Sequence, residues 1–232
     1  MKQVIPKLFK QDLRVVSLIL VAWAFISPVK SALGKPRRVK DRFVITVGIY
    51  NYAQITPREL QEAERQAATF FAGARVRIEW LEYAHQVPPV PSPSKDPTAD
   101  LYVRILDASK TRAERQTFGV DVMGESIIPS GTKGPLPGRI ANVFYDRVKG
   151  LSADWGQLSS EVLGEAIAHE LGHLLLGPQH SPTGIMKAHW TFQDQLLINR
   201  CQMGFLRAQL GLLQRAAQSL HKNTSLSITA QR

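Results

Sequence analysis

The chain has 232 residues, 44% of them hydrophobic and 21% charged, which is the make-up of one globular domain plus extras and excludes a disordered or fibrous chain. Its formal net charge of +10 sits mostly at one end: residues 1–40 hold nine Lys/Arg against the single acid Asp12, whereas the remainder carries 20 basic and 18 acidic side chains. A folded part so close to neutral argues against a nucleic-acid binder.

Lys2, Lys7, Lys10 and Arg14 precede the apolar run Val15 to Ile26, and small residues follow in SPVKSALG. Basic, apolar, then cleavable is the order of a secretory signal. The run is shorter than the roughly 20 residues that a membrane span needs. Residues 1–32 are therefore expected to be a signal peptide, or an N-terminal anchor if uncut, with the protein secreted or in the periplasm or cell envelope. Membrane contact is expected only through that segment. Cys201 is the only cysteine, so no internal disulfide can form and stability must come from packing and from any bound metal.

Arg42 to Tyr52 is β-branched and aromatic and reads as a strand. Thr56-Pro57-Arg58-Glu59 then opens a helix that should run to Phe71 and stop at Gly73. Arg75 to Tyr83 alternates as a second strand, and the five prolines of Val87 to Pro97 mark a surface loop. Asp100 to Leu106 and Phe118 to Met123 read as strands, residues 127–139 as a Gly/Pro loop, and Ile140 to Val148 as a fifth strand. Ser159 or Ser160 is placed to cap a helix that ends at Gly177-Pro178. Thr191 with Asp194 resembles a capping box opening one long helix, Phe192 to about Leu220, and residues 221–232 are expected to be a disordered tail. This order is that of an α/β or α+β domain with one sheet and two or three helices.

The stretch Ala168 to His180, AHELGHLLLGPQH, places three of the six histidines within twelve residues. On a helix His169 and His173 stand one turn apart on one face and can share a metal, with Glu170 beside the first ligand and within reach of a water. Leu163, Ile167, Leu171 and Leu174 recur at helical spacing on the other side and should face the core. Catalytic zinc usually takes three protein ligands and leaves its fourth position open. No Glu follows Glu170, and Asp194 is the only later acid, so a glutamate third ligand is excluded. His180 is the natural candidate, because Gly177 and Pro178 break the helix and let the chain turn back; His189 and Asp194 rank behind it. The bland alternative is a buried helix whose histidines bond each other or the backbone, a costly burial without a function.

These residues resemble the metzincin superfamily of zinc metalloendopeptidases, and within it the matrixin-like branch. The family pattern HExxHxxGxxH is matched at His169, Glu170 and His173, and in their mutual spacing by Gly177 and His180; Ser181 follows, and Gly184-Ile185-Met186 looks like the methionine turn beneath the metal. Gly177 stands four positions after His173, one more than in the family, and one extra helical residue rotates the exit by about 100°. A local bulge or tighter turn has to compensate.

The resemblance spans roughly residues 42–220. It implies a five-stranded mixed, twisted sheet with a backing helix, an active-site helix and a C-terminal helix. It further implies Zn2+ held by His169, His173 and His180, Glu170 as general base, and a peptide or protein substrate lying along the sheet's edge strand. Met186 can also be read as an ordinary core methionine. A catalytically silent, zinc-stabilised binding or structural module of the cell envelope is the alternative. Another is a surface binder working through residues 195–232, where five basic residues meet no acid.

Overall fold

The computed structural model of the protein describes residues 43–83, 99–107, 123–127, 140–199 and 202–230. The expected signal segment, the proline-rich loop, residues 118–122 of the expected fourth strand, residues 128–139 of the Gly/Pro loop and Cys201 lie outside the described residues.

Five strands form one sheet: β1 (Phe43–Asn51), β2 (Val76–Tyr83), β3 (Leu101–Leu106), β4 (Gly124–Ile127) and β5 (Ile140–Phe144), in the order β2-β1-β3-β5-β4. β1 pairs in parallel with β2 and β3, β3 with β5, and β4 runs antiparallel to β5 at the edge. The sheet is mixed and the class is α/β, as the sequence led us to expect. Ile45, Val47 and Ile49 of β1 are buried with the helices, and alternation puts Tyr50 on the opposite face, stacked on Tyr83 at 4.8 Å.

Helix α1 (Pro57–Phe71) begins as the sequence indicates, with Pro57 in its first turn and the Thr56 hydroxyl accepting from the Glu59 amide. It packs against α3 (Ser159–Leu176). On α3, Leu163, Ile167, Leu171 and Leu174 have no solvent exposure. At about 1.5–3 kcal/mol for each fully buried aliphatic side chain, that face fixes the helix to the core.

Four boundaries differ from expectation. The fourth strand is Gly124–Ile127, just after the predicted Phe118 to Met123; its glycine, glutamate and serine have little strand propensity, and its extended form comes from register with β5. The fifth strand stops at Phe144, and Tyr145–Trp155 is a helix, α2. Ile140 to Phe144 are all buried, and the apolar run then gives way to Asp146 in the first turn and a four-residue spacing of the buried Val148 and Ser152.

Neither Ser159 nor Ser160 caps α3. Leu158 holds the cap position, while the two hydroxyls donate to Glu59 and Glu62 of α1. The last helix is two: α4 (Phe192–Asn199) and α5 (Arg207–Ala230). The break lets Phe205 tilt against Phe71 at 5.1 Å and lets the Gly204 carbonyl accept from the Ile185 amide. The backbone of α5 is helical from Arg207 through Ala230.

Candidate metal centre

His169 and His173 project from the same side of α3 toward His180, which follows the helix end. The Nε2 of His173 lies 3.0 Å from the Nε2 of His169 and 3.2 Å from that of His180. One donor atom from each of the three falls within 4.8 Å of the others, and this is the group of that kind among the described residues.

The additional residue between His173 and the glycine is taken up by backbone geometry. α3 continues to Leu176, and Gly177 then adopts φ 98° and ψ −179°, a conformation reserved for glycine. From there the chain turns back and brings His180 to the pair. The Gly177 amide still closes the helix on the His173 carbonyl at 2.9 Å.

Tautomers follow from the backbone. The Nδ1 of His169 sits 2.7 Å from the Ile185 carbonyl and the Nδ1 of His173 3.0 Å from the Gly177 carbonyl. A carbonyl can only accept, so both Nδ1 atoms carry the proton and both Nε2 atoms present lone pairs. Two lone pairs at 3.0 Å repel unless a cation lies between them. Burial, above all, holds the His169 imidazole down to about pH 3 for proton uptake, with His173 adding to the effect. Burial likewise lowers His173, and lowers His180 with help from His189. Three neutral imidazoles, two oriented by carbonyls on their far nitrogens, fit a borderline divalent ion such as zinc.

The turn beneath is built from Ser181 to Lys187. Gly184 has φ 82°, the Ser181 amide donates to the Met186 carbonyl at 2.9 Å, and the Ile185 carbonyl also accepts the Trp190 indole N–H at 3.3 Å. Met186 is fully buried, and a Cβ at position 172 would collide with its sulfur. Gly172, between Leu171 and His173, is thus the place where the turn presses against the helix.

Glu170 is 5% exposed and shares with the histidines a cavity of about 220 Å³, which Met123, Gly124, Lys187, Ala188, His189 and Trp190 also line. Burial pushes its carboxyl up to about 8, Ser126 opposes the rise and Glu125 adds to it. The Ser126 hydroxyl lies 2.9 Å from both the Glu170 carbonyl and its Oε2. His189 lines the cavity without joining the three-histidine cluster, and Asp194 is engaged with Lys187 at 2.5 Å and with Thr191 as the capping box of α4. Reasoning from sequence missed Ser126 and Gly172. Ser126 belongs to a strand that the sequence pattern placed too early, and nothing in the local pattern separates Gly172 from a filler residue of the helix.

No family model and no curated protein matches the chain. Among solved structures, an archaemetzincin from Methanopyrus kandleri is 17% identical over 75% of this chain and 96% of that one, with a TM-score of 0.45. A zinc-dependent peptidase from Methanocorpusculum labreanum is 13% identical over 72% and 99%, also at 0.45, and myroilysin is 16% identical over 72% and 70%, at 0.32. With TM-scores below 0.5, these likenesses carry no weight for function, which rests on the site itself.

Proposed function

We propose that the protein is an exported zinc-dependent metalloendopeptidase of metzincin type. The observation that supports this reading best is the convergence of three imidazole nitrogens, two with their outer Nδ1 anchored on carbonyls, beside the buried Glu170 and beneath the edge strand β4. His169, His173 and His180 would hold the ion. When bound, zinc supplies the Lewis acidity that peptide-bond hydrolysis calls for.

Glu170 is assigned the proton traffic. Its carboxylate takes a proton from the attacking water as that oxygen bonds to the scissile carbonyl carbon. It then returns the proton to the amine as the carbon–nitrogen bond breaks. An extended peptide would add to the outer edge of β4, with main-chain hydrogen bonds holding it across the cavity. Burial of Met186 under Gly172 suits either a methionine turn or an ordinary core position; the former is the reading we favour, because the same turn supplies the carbonyl that orients His169. The basic and apolar order of residues 1–32 supports export.

The deciding comparison is cleavage of a mixed peptide library by the zinc-loaded chain and by Glu170→Ala. The variant is expected to bind one zinc and to lose on the order of 10²–10⁴ in turnover. Turnover retained in the variant would sink the role of Glu170. Silence from the wild type with one zinc bound would instead favour the silent zinc-stabilised module.

A further inference from the structure

We propose that Ser126 is the positioning residue of Glu170, holding its carboxylate where a general base must stand; the assignment rests on the peptidase reading above. Alternation along β4 turns residues 124 and 126 toward α3 and residues 125 and 127 to the other face of the sheet. At 2.9 Å from both the main-chain carbonyl and the Oε2 of Glu170, the Ser126 hydroxyl shares its one proton between two acceptors when Glu170 is ionised, and donates to the carbonyl while accepting from the carboxyl when it is protonated, so that it links the end of that side chain to its own backbone. A free glutamate side chain samples several rotamers; this one is closed into a ring by a single hydroxyl. Among the described residues, Ser126 is the side chain that hydrogen-bonds the Glu170 carboxylate.

The strand is shaped for this contact. A Cβ at Gly124 would lie 2.7 Å from both Cγ and Oε1 of Glu170 and 2.8 Å from the Asn142 carbonyl, so the backbone is bare where the carboxylate passes. From the opposite face β4 is pinned by a polar chain: the buried Asn142 donates to Glu125 at 2.6 Å and accepts from the Arg104 Nε at 2.6 Å. Ser126 therefore works from a strand of four residues held on both faces.

A hydroxyl suits the task because it donates to a carboxylate and accepts from a carboxylic acid. The contact survives while Glu170 carries the proton between water and amine. An apolar residue of the same size would pack equally well and do neither.

The test compares the full zinc-loaded chain with Ser126→Ala, and Ser126→Thr with the nearly isosteric Ser126→Val. Kinetics on a peptide that the wild type cleaves are read beside the affinity for a peptide hydroxamate, whose hydroxyl proton needs a carboxylate acceptor; zinc content and thermal unfolding report the fold. Ser126→Ala and Ser126→Val are expected to lower kcat by roughly 10–100-fold, the scale of a misplaced catalytic group, with KM within about twofold and one zinc retained. Both should weaken hydroxamate binding by about tenfold, and Ser126→Thr should restore most of each quantity. Thr and Val variants that behave alike, or an Ala variant within twofold of wild type in kcat and hydroxamate affinity, would overturn the proposal. A wild type that cleaves nothing counts against the peptidase reading, while the hydroxamate affinities still decide Ser126. Should Ser126→Ala fail to fold, the Thr and Val pair carries the same comparison.

Discussion

Of the three histidines proposed to hold zinc, His180 depends most on backbone geometry for its place, because it alone stands outside α3. His180→Ala is expected to weaken zinc binding by more than the roughly 10–100-fold that loss of an outer partner costs, read by competition with a chromophoric chelator. Unchanged affinity would move the third ligand elsewhere, and His189, on the same cavity wall, would be the first candidate. Gly172 poses the complementary question of space. Adding a methyl group drives it into the Met186 sulfur, so Gly172→Ala should cost about 1–3 kcal/mol in urea unfolding. If Gly172→Ala combined with a smaller residue at 186 is no more stable than Gly172→Ala alone, the collision is not the cause.

At the level of elements, the histidine-bearing helix α3 and the turn after it were legible because their signals are local. Two histidines four apart, a leucine stripe and a Gly-Pro break need nothing beyond the helix itself. The capping box Thr191 to Asp194 was legible for the same reason. What escaped depends on partners distant in sequence. β4 is extended through its pairing with β5, and Ser159 and Ser160 were taken from their capping role by Glu59 and Glu62, about a hundred residues earlier. The division between α4 and α5 exists because Phe205 and Gly204 have packing and hydrogen-bonding partners in α1 and in the turn of residues 184–186. The one-residue lengthening after His173 was visible as a misfit, but its resolution lies in the positive φ of Gly177, which no local sequence pattern announces. Gly177→Ala should cost about 1–3 kcal/mol for the strained backbone and should also weaken metal binding, since its carbonyl orients His173. Equilibrium unfolding and zinc affinity measured on the same sample check both, and an effect on stability alone would detach Gly177 from the site.

Across the whole molecule, buried titratable groups set how stability varies with pH in the metal-free chain. Burial raises Glu165 to about 8 and Glu64 to about 7, each from 4.5. Between the unfolded and folded values the native state binds more protons than the unfolded one, so stability falls as pH rises through that window. The lowered imidazoles act in the opposite sense: below 6.5 the unfolded chain takes up protons that His169 refuses, and stability falls as pH drops. By pH 6 the unfolded imidazoles are losing their protons while Glu64, Glu165 and the likewise raised Glu170 still hold theirs only in the folded chain, so the carboxyls prevail and the urea midpoint should decline as pH rises from about 6 to 8. Glu165→Gln, which keeps the hydrogen-bonding contact with Gln195 available, should flatten the alkaline side; an undiminished decline would place its origin in other groups.

The carbonyl of Ile185 serves two rings at once, the imidazole of His169 and the indole of Trp190, which stand edge to face at 5.7 Å. A fluorophore is thereby built into the wall of the centre. Any change in the electronic state of His169, whether by proton or by metal, is presented to the excited indole at van der Waals range. Loading of the ion should be visible as a change in tryptophan emission, without dye or label, and that change should vanish in Trp190→Phe while the other tryptophans continue to emit.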